Sequence, residues 1–126
     1  MAIKEETLGG TPSRKALASL LGLDTATTFK ATADVKDGTV PALSPVVIAA
    51  DGTATIYTAD EASPVIGETD QVGFTVSDRV TDAEGALNVA VMRQAHVRRS
   101  RLSLAAQAVL TAAPAAALTH IIVEEA

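Results

Sequence analysis

Two histidines, two pairs of nearby carboxylates and a cluster of arginines are the side chains in this sequence with chemistry to offer. His96 and His120 each lie in a β-prone apolar run, and neither has a second ligand at the spacing that holds a metal ion. They read as ordinary sheet residues. Asp60-Glu61, and Asp82 with Glu84, have the composition of a general acid–base pair. Both pairs sit in polar loops with no burial signal, where solvated carboxylates are expected. No serine stands in a nucleophile elbow, and no glycine-rich phosphate loop precedes a helix. Gly9-Gly10 and Gly22 read as a flexible joint and a helix stop. The chain is therefore read as a non-enzyme with no cofactor and no metal site.

Arg93, Arg98, Arg99 and Arg101 are the one concentrated charge feature. Nucleic-acid binding would want interleaved aromatics or a wider basic face. The aromatics are only Phe29, Tyr57 and Phe74, and the net charge is −5. The arginines read instead as a solvated strand end or as a salt contact with acidic protein, such as the acidic loops of a neighbouring copy.

Those side chains must be carried by a scaffold, and the stretch from Asp37 to Val76 supplies most of it. Three short apolar runs lie there, each fenced by a turn signal. Ser44-Pro45 enters Val46-Val47-Ile48-Ala49-Ala50, Asp51-Gly52 separates this run from Thr53 to Thr58, and Val72-Gly73-Phe74-Thr75-Val76 follows a loop with Pro64, Gly67 and Asp70. Asp-Gly between two β-prone runs is a strong hairpin signal. The stretch has no room for a helix.

Upstream, residues 1 to 10 form a polar arm, expected to be mobile in isolation. Thr11-Pro12 opens a helical signal, with Leu17, Leu20 and Leu21 on one stripe and Gly22 as the stop. At about ten residues such a helix must dock, either on its own domain or on a partner. Phe29 to Val35 alternates with period two, so Phe29, Ala31, Ala33 and Val35 share one face of a strand. Pro41 makes Val40 to Leu43 an edge or a bulge.

Downstream, Ser77 to Gly85 reads as an acidic loop and Asn88 to Leu102 as one long strand. In that strand Val89, Val91, Arg93, Ala95, Val97, Arg99 and Arg101 face one way. Ser103 caps a short helix from Leu104 to about Thr111, broken before Pro114. Leu118 to Val123 closes the chain as a strand. The reading is mainly β, with an attachment segment over 1–28 and a β-rich domain over 29–126.

The totals set limits. Among 126 residues nearly half are apolar, but much of that is alanine. A core of small aliphatic pieces gives each residue about 1 to 3 kcal/mol at most, which predicts help from oligomerisation or a partner. The absence of cysteine excludes disulfides and fits synthesis in a reducing cytoplasm. Met1 to Glu6 is charged and lacks a secretory apolar core, and no apolar run nears the ~20 residues that span a bilayer.

In this order of features the chain resembles the head decoration (capsid-stabilising) proteins of tailed bacteriophages, of the phage lambda type. The resemblance runs over about Phe29 to Val123. It is carried by the polar arm, the Thr- and Ala-rich lead-in, and Ser44-Pro45-Val46-Val47-Ile48. The turn and β run over Asp51 to Thr58, Val72-Gly73-Phe74-Thr75-Val76, the basic run, the alanine-containing helix and the final strand continue it. That family often has glycine in the middle of the basic strand, where this chain has Gln94-Ala95.

The resemblance implies a small β-barrel or tulip-like domain with one or two short helices and an extended arm. It implies a homotrimer at threefold or quasi-threefold positions, on the outer surface of the virion capsid, bound to the major capsid protein of an expanded head. Neither direct nucleic-acid contact nor a membrane is implied. Ile3, Leu8, Leu17, Leu20, Leu21 and Phe29 are then the apolar anchors of the arm, and Arg93, Arg98, Arg99 and Arg101 make subunit or capsid salt contacts. A tail-tube or head-completion subunit, or a small β-barrel binding module, are the rival readings.

Overall fold

The computed structural model describes residues 26–125. The arm, the helix over Pro12 to Leu21, and the anchors Ile3, Leu8, Leu17, Leu20 and Leu21 lie outside the described residues.

The first described element is β1 (Thr27–Ala33), an alternating strand. Ala31 and Ala33 are buried and Phe29 and Val35 half-buried, while Lys30, Thr32 and Asp34 face solvent. The period-two reading of this segment holds. A pair of two-residue strands, β2 (Thr39–Val40) and β6 (Arg79–Val80), lies antiparallel beside the barrel. The expected acidic loop from Ser77 to Gly85 is thus partly a strand. Its ends are pinned by side chains that the run of charges concealed: Thr81 Oγ1 accepts Gly38 N–H at 3.1 Å, and Asp78 Oδ1 accepts Ala42 N–H at 2.7 Å.

The hairpin formed by β3 (Pro45–Ile48) and β4 (Ala54–Ile56) is the one that Asp51-Gly52 announced. Gly52 takes φ +90° and its N–H donates to Ala49 O, so the turn needs glycine at this one position. β3 is buried along its whole length, which is why its sequence does not alternate. Val46 and Ile48 fill the barrel interior, whereas Val47 packs outward.

β5 (Gln71–Thr75) pairs with β3, and β7 (Ala86–Met92) pairs with both β5 and β1. A parallel contact between β1 and β4 completes a closed five-stranded barrel, in the order β1-β4-β3-β5-β7. The protein is mainly β, as its sequence predicts. Its interior is small and aliphatic: Ala31, Val46, Ile56, Val89 and Val91 among others. Gly73 in β5 permits the close approach of β7, because a Cβ there would lie 2.7 Å from Met92 O.

The long strand expected from Asn88 to Leu102 is broken. β7 ends at Met92, a bend at Arg93-Gln94 leaves the barrel, and β8 (Ala95–Arg98) begins outside it. Val89, Val91, Ala95 and Val97 are all buried, so one parity of burial survives the bend and makes two strands resemble one. Arg99–Arg101 then form a single 3-10 turn.

One α-helix follows, α1 (Leu104–Ala112), whose cap is the one expected: Ser103 Oγ accepts from Ala106 N–H at 3.2 Å. Ala105, Ala106, Val109 and Leu110 face inward from it. The closing strand, β9 (Ile121–Glu124), starts later than its apolar run suggests. Ala115–Leu118 wind as a 3-10 turn after Pro114, and Leu118 is spent packing against the cores. β9 lies parallel to β8 as a separate two-stranded ribbon.

Candidate functional site

The four arginines do not form one patch. Arg93 stands in the bend after β7, with its guanidinium 5.9 Å from the centre of the Phe29 ring. Phe29, expected to be an arm anchor, stands instead in β1 of the barrel wall, opposite Val89 of β7, and is half-buried. Arg101 is exposed at another place, beside a hollow formed by Pro41 to Ser44, Leu102 and Ser103.

Arg98 ends β8 and Arg99 opens the 3-10 turn after it, and both meet carboxylates of their own chain. Arg99 Nε is 2.8 Å from Glu125 Oε2, and its Nη1 donates to Thr111 Oγ1 at 3.3 Å. Glu124 Oε2 lies 3.2 Å from His96 Nε2 and 3.9 Å from Arg98 Nε. These are exposed pairs, each stabilising by no more than about 1 kcal/mol. They join the C-terminal end of β8 and the turn after it to the C-terminal end of β9.

His96 is in a strand as expected, but His120 occupies the turn before β9 and is exposed. The apolar run misled here because its first three residues are not in the strand. With Gln71, Arg93 and Gln94, His120 lines a small hollow at the mouth of the barrel. A larger open groove of about 440 Å³ adjoins it, walled by Phe29, Ile48, Glu68, Asp70 and Arg93 among others. No group of three or more metal-ligating side chains occurs among the described residues.

The carboxylates considered for acid–base work are turn builders or exposed loop residues. Asp82 Oδ1 accepts N–H groups from Ala86 and Glu84, and these two bonds hold its carboxyl below the usual aspartate range. Asp51 is lowered likewise by the Thr53 N–H, at 2.9 Å. Asp34 has a third such role: burial raises its carboxyl, but bonds from the Thr58 hydroxyl and from the Ala59 and Thr58 N–H groups outweigh this and lower it.

Among the described residues four large aliphatic side chains are exposed: Val65, Val80, Leu104 and Ile122. Sequence reasoning passed over Ile122 because Ile121-Ile122-Val123 reads as one apolar block. Alternation within the short strand was the available signal: Ile121 is buried, while Ile122 is 62% exposed. No helix among the described residues is long and apolar enough to cross a membrane. Comparison with protein-family models, with curated proteins and with solved structures gives no match.

Proposed function

We propose that this chain is a capsid decoration, or cementing, protein that binds the outside of an expanded phage head and stabilises it against internal DNA pressure. The supporting observation is the placement of the segments that carry the resemblance. Ser44-Pro45-Val46-Val47-Ile48, the Asp51-Gly52 turn and Val72-Gly73-Phe74-Thr75-Val76 are β3, the hairpin turn and β5, neighbours in one barrel wall. The resemblance thus follows a folded unit, not scattered words of sequence.

In this reading the major capsid protein is the partner, a homotrimer is the working unit, and residues 1–28 are the attachment segment. The small aliphatic core agrees with a chain that gains stability from assembly. Many weak contacts repeated around a shell offset the free energy of ordering each copy.

The test is co-sedimentation with expanded, undecorated capsids, comparing the full chain with one beginning at Thr28. Saturable binding by the full chain that is lost on truncation is expected. Binding that survives truncation keeps the function and moves attachment onto the barrel. No binding by either form overturns the proposal. The open groove at the barrel mouth favours a small-ligand binding module as the second reading, and a ligand screen with saturation at that groove would support it.

A further inference from the structure

β7 leaves the barrel wall before β5 ends, and its departure opens a notch. The two strands pair at Phe74–Met92 and Thr75–Val91, whereas β5 continues to Gln71, opposite Ile48 on its other side. Past Met92 the chain bends away through Arg93 and Gln94, and the turn before β9 brings His120 to the same place. The result is a hollow of about 220 Å³ lined by Gln71, Arg93, Gln94 and His120.

Each of these four side chains carries N–H donors, and none is a carboxylate. Among the described residues no carboxylate lies within ion-pair distance of Arg93 or His120, in contrast to Arg98 and Arg99. Arg93 is held instead over the Phe29 ring, 5.9 Å from its centre. A guanidinium set on an aromatic face leaves its N–H edge to a planar, bidentate partner, and a carboxylate has that shape.

The open groove beside the hollow says what else the ligand carries. Gln71 and Arg93 line both spaces, and the groove runs on over Phe29, Ile48 and Ala116. Its acids, Glu68 and Asp70, stand in the groove and not in the hollow. Asp70 is committed to the Gly67 N–H at 2.8 Å, and Glu68 would repel a second negative charge. One anionic head with an uncharged, largely apolar body fits this arrangement.

We propose that the notch left by β7 binds a small organic monocarboxylate. Its carboxylate accepts N–H groups from Arg93, His120, Gln71 and Gln94, and its body lies along Phe29 and Ile48. The inference gives the binding-module reading a ligand class and leaves the capsid reading untouched, so the two stand or fall separately.

The test is a titration of the isotope-labelled full chain, followed by backbone and side-chain nuclear magnetic resonance shifts. The probe is 3-phenylpropanoate, run beside its neutral amide and beside inorganic phosphate. The carboxylate is expected to saturate, with shifts concentrated at Gln71, Arg93, Gln94, His120 and Phe29. The amide and phosphate should each bind about tenfold more weakly. Arg93→Gln should weaken the carboxylate about tenfold, whereas Lys36→Gln, which removes an equal charge in the turn after β1, should not. If the Arg93→Gln spectrum shows a disturbed barrel, His120→Ala takes its place, with a loss of severalfold expected. Equal binding of amide and carboxylate, or equal affinities of the Arg93→Gln and Lys36→Gln variants, overturns charge recognition and the site with it. Phosphate that binds as tightly as the carboxylate makes the notch a general oxyanion site and overturns the organic class. No saturable shift with any probe overturns the inference, while co-sedimentation with capsids decides the capsid function independently.

Discussion

The Asp34 carboxylate, just past the end of β1, holds Thr58, just past the end of β4. The Thr58 N–H lies 2.9 Å from both carboxylate oxygens, its hydroxyl donates to the same group, and Ala59 N–H adds a bond at 3.1 Å. This clamp ties off the parallel β1–β4 pair that closes the barrel.

The clamp predicts an acid-sensitive barrel. Because the folded-state Asp34 carboxyl is lowered, its stabilisation is fully present above the unfolded value of about 3.9 and is lost as pH falls through the lowered value. Asp34→Asn should reduce stability near neutral pH by about 1 kcal/mol and flatten its decline below pH 4. Urea melts of both proteins from pH 7 to pH 2.5 check this, and parallel curves would exclude Asp34 as a source of the slope.

Gly73→Ala should be among the most damaging single-methyl changes in the chain. The added carbon would sit 2.7 Å from Met92 O and 2.8 Å from Val91 Cγ1, so β5 and β7 must move apart. Overpacking of this kind costs about 1–3 kcal/mol. A thermal melt reads it, and an unchanged midpoint would mean that the barrel wall yields easily.

Thr75 tests a polar knot inside an apolar wall. Its buried hydroxyl accepts Ser44 N–H at 3.0 Å and donates to Pro41 O at 3.0 Å, next to Leu43 in the left-handed region at φ 62°. Thr75→Val keeps shape and removes both bonds, leaving a buried donor unpaired at a cost of about 1–3 kcal/mol. Thr75→Ser should restore most of the loss. A stable Thr75→Val beside an unstable Thr75→Ser would point to the methyl group instead.

Ser103→Ala removes the helix cap at Ala106 N–H and should cost about 1 kcal/mol. Since α1 covers Val47 and Val72 through Val109, near-complete loss of helical circular dichroism should coincide with barrel unfolding. Separate transitions would show that the helix is not part of the same cooperative unit.

Local chemistry was legible in the sequence and long-range pairing was not. Asp51-Gly52, Ser103 and Pro114 act within a few residues of themselves, so turn, cap and stop could be read directly. The bend at Arg93-Gln94 was hidden because Val91 and Ala95 keep the same parity across it. Buried Met92, out of step with that parity, was the only local sign. The parallel β1–β4 contact joins Ala31 to Ala54 with a hairpin strand between, and no local pattern encodes such a partner. Among the surface features, the arginines were visible as a group but their separation was not, since it depends on the bend.

Barrel closure has a consequence for the order of events as the chain is made. β1 is the earliest described strand, yet its antiparallel partner runs from Ala86 to Met92. A ribosome therefore releases the alternating face of Phe29, Ala31 and Ala33 well before the strand that covers it. Contacts so distant in sequence form slowly, and unpaired strands are vulnerable to misassociation in the interval. Alanine at Ala31 and Ala33 limits that exposure, because a waiting strand with small side chains offers little for another chain to grip.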